Sequence, residues 1–144
     1  MAKISSAEWE VMRVLWTKGE TTSTEITKIL STKQDWSAST VKTLLGRLAD
    51  KGYLTSRREG RTYLYQAVLN EEEANLTAVY EVLSKICLTK HHHLLGKLIQ
   101  QTPMTKEQIK YLQEILASKE SVEQVQCDCQ PGQCHCVSHV EEIK

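Results

Sequence analysis

The apolar pattern of residues 1–70 changes period once, at Gly52: three helix-like repeats precede it and two strand-like runs follow. Few small folds accommodate that order. Ser5-x-x-Glu8 has the spacing of a capping box, which satisfies the unpaired N–H groups of a helix start. Behind it Trp9, Met12, Leu15 and Trp16 recur at helical intervals, and Gly19 closes the segment. Thr22-x-x-Glu25 opens a second helix, with Ile26, Ile29 and Leu30 on its apolar side. A third is predicted from about Ser37 to Lys51, where Val41, Leu44, Leu45 and Leu48 form a stripe. Past Gly52, residues 53–58 and 61–68 favour strands, joined as a hairpin across Glu59-Gly60.

This is a mainly α chain with a small β-hairpin, arranged as a winged helix-turn-helix. In that plan the third helix can enter a major groove while the hairpin reaches the neighbouring backbone. The stripe on the third helix faces inward, leaving Ser39, Thr40, Lys42, Thr43 and Arg47 for the outer face. Small hydroxyls and cations suit base edges and phosphates. Arg57, Arg58 and Arg61 gather at the hairpin tip, where a wing would meet phosphate. Charge agrees in sign. The whole chain is neutral, yet residues 1–70 hold eleven Lys and Arg against seven Asp and Glu, a net +4. Residues 119–144 hold two against five, a net −3. Charge alone fits a solvated helix and a protected edge strand equally well; helix order and hairpin together favour DNA.

Residues 1–69 are therefore expected to form a DNA-binding domain, 70–118 a helical dimerisation region, and 119–144 a flexible tail. Asn70 and the three glutamates after it cap and charge a helix start, and Leu76, Val79, Tyr80, Leu83 and Ile86 give that helix, 71–87, one apolar face. A second, 90–101, carries Leu94, Leu95, Leu98 and Ile99. Pro103 intervenes, and Thr105-x-x-Gln108 caps a third, 105–117, with Ile109, Leu112, Ile115 and Leu116. Three amphipathic helices need a surface to cover their stripes; their own chain could supply it, and a second copy of the chain is the favoured cover.

The tail holds four of the five cysteines as C-x-C-x4-C-x-C. Gln130-Pro131-Gly132-Gln133 has the residues of a type II turn, with Pro at its second position and Gly at its third. Alternate residues of an extended arm face one side, so Cys127 and Cys129 on one arm can meet Cys134 and Cys136 on the other. Four converging sulfurs suit tetrahedral Zn²⁺, and thiolates also select Cu(I). Two disulfides would need an oxidising compartment. The opening MAKISSAEWEV lacks the apolar stretch of a signal peptide, and no apolar run reaches membrane-spanning length, so a cytoplasmic setting without a membrane partner is expected.

WEVMRVLW (9–16) and DWSASTVKTLLGRLADKGYL (35–54) resemble the penicillinase-repressor family of winged-helix repressors, the BlaI/MecI group. The resemblance implies a homodimer on a palindromic operator in double-stranded DNA, of the type TACA-N2-TGTA. Within that family the cysteine tail is similar to that of the CopY-type copper-responsive repressors. That likeness implies a zinc form that represses copper-homeostasis genes and about two Cu(I) per chain as inducer, which a copper chaperone can donate. Four thiolates with one Zn²⁺ or with two Cu⁺ both sum to −2, so geometry rather than local charge must carry such a switch.

Rival readings are a β-lactam-responsive repressor of the same fold and a cytosolic copper buffer or chaperone. The first is expected to be cut before a phenylalanine, and this chain has none. The second leaves the winged helix without a use. No nucleophile–base pair or paired carboxylate points to an enzyme. Cys87 is expected to be a packing residue. His91, His92 and His93 are expected on a solvated helix start, His135 pointing away from the thiols, and His139 as an additional ligand at most. Trp9, Trp16 and Trp36 are assigned to the core.

Overall fold

A computed structural model describes residues 2–136. They form two compact units, the first running to Leu76 and the second starting at Thr77. The first unit contains α1 (Ser6–Lys18), β1 (Thr21–Thr22), α2 (Ser23–Leu30), α3 (Ala38–Asp50), β2 (Leu54–Glu59) and β3 (Thr62–Ala67). The helix α4 (Glu71–Leu83) begins in the first unit and ends in the second. It is followed by a 3-10 turn (Leu88–Lys90), α5 (His91–Gln101) and α6 (Lys106–Ser118).

Each long helix of the first unit starts where a hydroxyl can take up a free N–H. Ser5 Oγ accepts from Glu8 N at 3.1 Å, Thr22 Oγ1 from Glu25 N at 3.2 Å, and Ser37 Oγ from Thr40 N at 3.3 Å. The end of α3 is set by Gly52 at φ 80°: Gly52 N donates to Ala49 O and Tyr53 N to Leu48 O, a Schellman closure that turns the chain into β2. The helices close on Val11, Met12, Leu15, Ile26, Val41, Leu45 and Leu48, all at most 1% exposed. Trp16 and Trp36 lie against this core. Trp9 stands edge-on to Trp16 with ring centroids 5.6 Å apart, and the Trp16 indole N–H donates to Leu69 O at 2.8 Å. Trp16 and Trp36 thus line the rim of the core, and the Trp16 indole N–H finds a partner there.

The sheet order is β1-β3-β2, all antiparallel, with Ser56 opposite Tyr65 and Glu59 opposite Thr62. Two details differ from the sequence reading. The hairpin loop is Gly60-Arg61 rather than Glu59-Gly60, because the left-handed residue (Gly60, φ 64°) must lead the two-residue turn. A third strand, β1, pairs Thr21 with Tyr65 and Thr22 with Leu64; two residues are too few to show a period.

In the second unit α4 stops at Leu83, short of the expected residue 87. Ser84 Oγ donates to Glu81 O, and His91 Nε2 sits 3.0 Å from Leu83 O and 2.9 Å from Ile86 O. These side chains take over the carbonyls that end the helix, so Ile86 leaves the apolar face assigned to it. α6 begins with a complete capping box between Thr105 and Gln108. Neither α5 nor α6 buries a residue in the single chain. Between Lys119 and Cys136 there is no helix or strand.

Candidate functional site

Two sets of residues carry chemistry, one in each unit. In the first, Ser39, Thr40, Lys42, Thr43 and Arg47 are all exposed on α3, on the side away from Val41, Leu44, Leu45 and Leu48. The Ser37 hydroxyl is 2.9 Å from Ser39 Oγ and 3.1 Å from Thr40 Oγ1, so the helix start presents a linked row of hydroxyls. Thr43 Oγ1 donates back to Ser39 O at 3.0 Å. The side chains of Lys42 and Arg47 make no ion pair among the described residues and stand free on this face.

The three arginines of the hairpin differ from one another. Arg57 Nε donates to Glu20 at 3.0 Å, and its guanidinium is also 3.5 Å from Glu59. The Glu20 carboxylate raises the Arg57 pKa, and Arg57 in turn lowers that of Glu20. Arg58 lies 6.0 Å from the centroid of the Tyr63 ring and donates to Gly60 O. Arg61, in the loop itself, makes no ion pair among the described residues. Behind this surface Glu8, 3% exposed, receives Lys51 Nζ at 2.9 and 2.7 Å on its two oxygens. Burial acts to raise the Glu8 pKa, but Lys51 and the Ser5 cap outweigh it, and the carboxyl lies below its usual value.

In the second unit the turn Gln130–Gln133 forms as the sequence reading expects. Gln133 N donates to Gln130 O at 3.0 Å and Gly132 has φ 94°. The two C-x-C arms fold together: Cys127 Sγ is 3.3 Å from Cys134 Sγ. A fifth thiol joins them. Cys87, expected only to pack, has its Sγ 3.3 Å from Cys127 Sγ, 3.5 Å from Cys136 Sγ and 3.0 Å from Thr89 Oγ1. The sulfurs of Cys87, Cys127, Cys129 and Cys134 all lie within 4.8 Å of one another. Cys136 touches the group through Cys87 and through Thr89 Oγ1, at 3.3 Å.

Four sulfurs about 2.3 Å from one zinc ion in a tetrahedron stand about 3.8 Å apart. The observed separations bracket that value, so the donor set fits a thiolate-binding metal. The thiols also polarise one another. The Thr89 hydroxyl lowers the Cys87 pKa against the opposing effect of burial, with further help from Cys127, to about 6. Burial pushes Cys127 up, beyond the usual thiol range. Among the described residues no histidine joins the group: His91 caps α4 instead of standing on a solvated face; His139 lies outside the described residues. Only the odd cysteine count could have pointed to Cys87.

A family model for the penicillinase repressor matches residues 4–118. The chain belongs to the penicillinase repressor family. The repressor is 40% identical over 136 residues to an uncharacterized 16.5 kDa protein in the ptsI 3' region of Latilactobacillus sakei, covering 93% of each chain. It is 30% identical to the penicillinase repressor of Bacillus licheniformis, over 79% of this chain and 89% of that one. It is 26% identical to the methicillin resistance regulatory protein MecI of Staphylococcus aureus, over 81% and 95%. Among solved structures, the DNA-binding domain of the repressor BlaI is similar over 51% of this chain and 93% of its own, at 39% identity and TM-score 0.45. A CopR repressor structure is similar over 48% and 100%, at 42% identity and TM-score 0.41. Family membership rests on the family model and the curated relatives. The Bacillus licheniformis and Staphylococcus aureus relatives are named as a repressor and a regulatory protein, and this chain is a transcriptional repressor of their family. No helix among its described residues is long and apolar enough to cross a membrane.

Proposed function

We propose that this repressor controls copper-homeostasis genes in the cytoplasm, holding a palindromic operator as a zinc-loaded homodimer and leaving it when its thiols take up Cu(I). The observation that carries the reading is the convergence of both C-x-C arms on one point in a member of a repressor family. A zinc ion held there would supply a fixed cross-link among the thiolates of Cys127, Cys129, Cys134 and a fourth cysteine. Cu(I), the inducer, is a softer ion that thiolates prefer. A copper buffer or chaperone would have no use for the exposed face of α3.

In this reading Lys42 and Arg47, free on α3, enter the major groove with Ser39, Thr40 and Thr43. Arg58 and Arg61 reach phosphate from the hairpin. Arg57 orients the hairpin through Glu20 and adds less to phosphate affinity. The second copy covers the apolar faces left open in the single chain, which include Leu95, Leu98, Ile99, Ile109, Ile115 and Leu116, each 43–65% exposed.

The deciding experiment is a gel-shift titration on a duplex carrying TACA-N2-TGTA, with protein that is metal-free, zinc-loaded, or given Cu(I) anaerobically. Binding is expected with zinc and lost near two Cu(I) per chain. Binding indifferent to Cu(I) would refute copper control. Lys42→Ala should weaken all sequences alike and reduce the slope of log affinity against log salt by about 1. An unchanged slope removes Lys42 from the phosphate contacts.

A further inference from the structure

We infer that Cys87 is itself a metal ligand: the site is built from five thiols, and metal binding fastens the cysteine tail to the turn between α4 and α5. The inference rests on the metal-binding reading above and adds to it a ligand that lies forty residues from the nearest C-x-C cysteine.

The two kinds of thiol differ in what holds them. Cys127, Cys129, Cys134 and Cys136 sit on arms without helix or strand on either side of one β-turn. Cys87 sits in a stretch pinned at both ends. Before it, Lys85 N donates to Val82 O and Ile86 N to Leu83 O. After it, Lys90 N donates to the Cys87 carbonyl at 2.9 Å. The His91 ring reaches back over the same turn to Leu83 O and Ile86 O. The backbone that carries Cys87 is thereby held by local hydrogen bonds, and the residue is 6% exposed.

The mutually close quartet is Cys87, Cys127, Cys129 and Cys134, and Cys136 is not in it. A four-coordinate ion taking those sulfurs leaves Cys136 outside its coordination, beside Cys87 and Thr89. Two Cu(I) ions use sulfurs that bridge, and a fifth thiolate within 3.5 Å of the quartet enlarges that set. Each thiol that ligates gives its proton to solvent. The C-x-C arms alone would form a site that can drift from the helices. With Cys87 as fourth ligand, the arms cannot be loaded without being docked.

The test uses full-length protein and Co(II) as a spectroscopic stand-in for zinc, comparing wild type with Cys87→Ser and Cys136→Ser. The intensity of the sulfur-to-cobalt charge-transfer band follows the number of thiolate ligands. Cys87→Ser is expected to lose about a quarter of it, one ligand of four, while Cys136→Ser keeps it. Zinc affinity should fall with Cys87→Ser by more than the ~10-fold typical of losing an outer partner of a ligand. The reverse pattern, with Cys136→Ser losing the band and Cys87→Ser keeping it, overturns the inference and leaves the metal-binding reading standing. Absence of any thiolate band in wild type overturns both. Because Cys87→Ser alters a buried position, hydrogen exchange of the wild type is measured as well. Zinc should slow exchange across residues 84–90, and equal rates with and without zinc overturn the inference without a mutant.

Discussion

Between Val11 and Leu54, twelve side chains of the first unit close into a core. From Thr77 onward, among the described residues, the only buried apolar side chain is Cys87. Both regions are mostly helical, and both show apolar stripes of similar quality in the sequence. They differ in what the stripes meet. In the first unit α1, α2, α3 and the sheet meet one another, so burial is complete within a single chain. In the second, the faces of α5 and α6 stay open, and the organised point is a knot of thiols beside a turn. A stripe therefore establishes that a helix has something to bury, and leaves open whether its own chain covers it. The first unit has the anatomy of a domain that folds alone, whereas the second, under the proposed function, depends on a ligand and a partner.

The sharpest way to break this comparison is a matched pair of truncations. Leu45→Ala opens a cavity in a closed core and should cost about 3 kcal/mol in urea unfolding at any protein concentration. Leu98→Ala should cost less than about 0.5 kcal/mol in dilute protein, yet raise the dimer dissociation constant about tenfold in sedimentation. Equal costs at dilution would mean that the second unit has a core of its own.

Next in size is the Glu8–Lys51 pair. Glu8→Gln should cost about 2 kcal/mol at pH 7, since it replaces a charged hydrogen bond in a nearly closed site. The sign of its pH dependence is fixed: the folded carboxyl has a lowered pKa, so its contribution is complete above the unfolded value near 4.5 and fades as pH falls through the folded one. Wild type and variant should converge in stability once the pH falls below the lowered pKa of the folded carboxyl, and a gap that stays constant with pH would mean packing and not charge. Smallest are the caps. Ser37→Ala on α3 and Thr105→Ala on α6 should each cost about 1 kcal/mol, because a cap acts within its own helix whatever surrounds it. Circular dichroism melts of both variants test this; a much larger loss for Thr105→Ala would show that α6 is held by little else.

Local features were the most legible from sequence. The hydroxyls of Ser5, Thr22 and Thr105 cap helices where their spacing predicts, Ser37 caps α3 at its expected start, and Gly52 and Gly132 take the left-handed conformations that their turns need. What stayed hidden was long-range pairing. Arg57 looked like its neighbours Arg58 and Arg61, and only the fold brings Glu20, 37 residues away, against it. The end of α4 was missed because two carbonyls are satisfied by the ring of His91, which nothing in the periodicity of residues 71–87 announces. Cys87 was set aside for the same reason: a single cysteine after an apolar stretch carries no spacing signal.

The contact between Cys87 and Cys127 has a topological consequence. The forty-residue span between them contains all of α5 and α6, so joining these two sulfurs through one ion closes both helices into a single ring. A closed ring of that length removes chain entropy from the unfolded state worth about 4 kcal/mol, as a disulfide between the same positions would. Unlike a disulfide, the link can be made and broken in a reducing compartment. Under the proposed function, metal occupancy sets how tightly these two helices with open apolar faces are knotted, and so how long those faces stay ordered enough to meet a second copy.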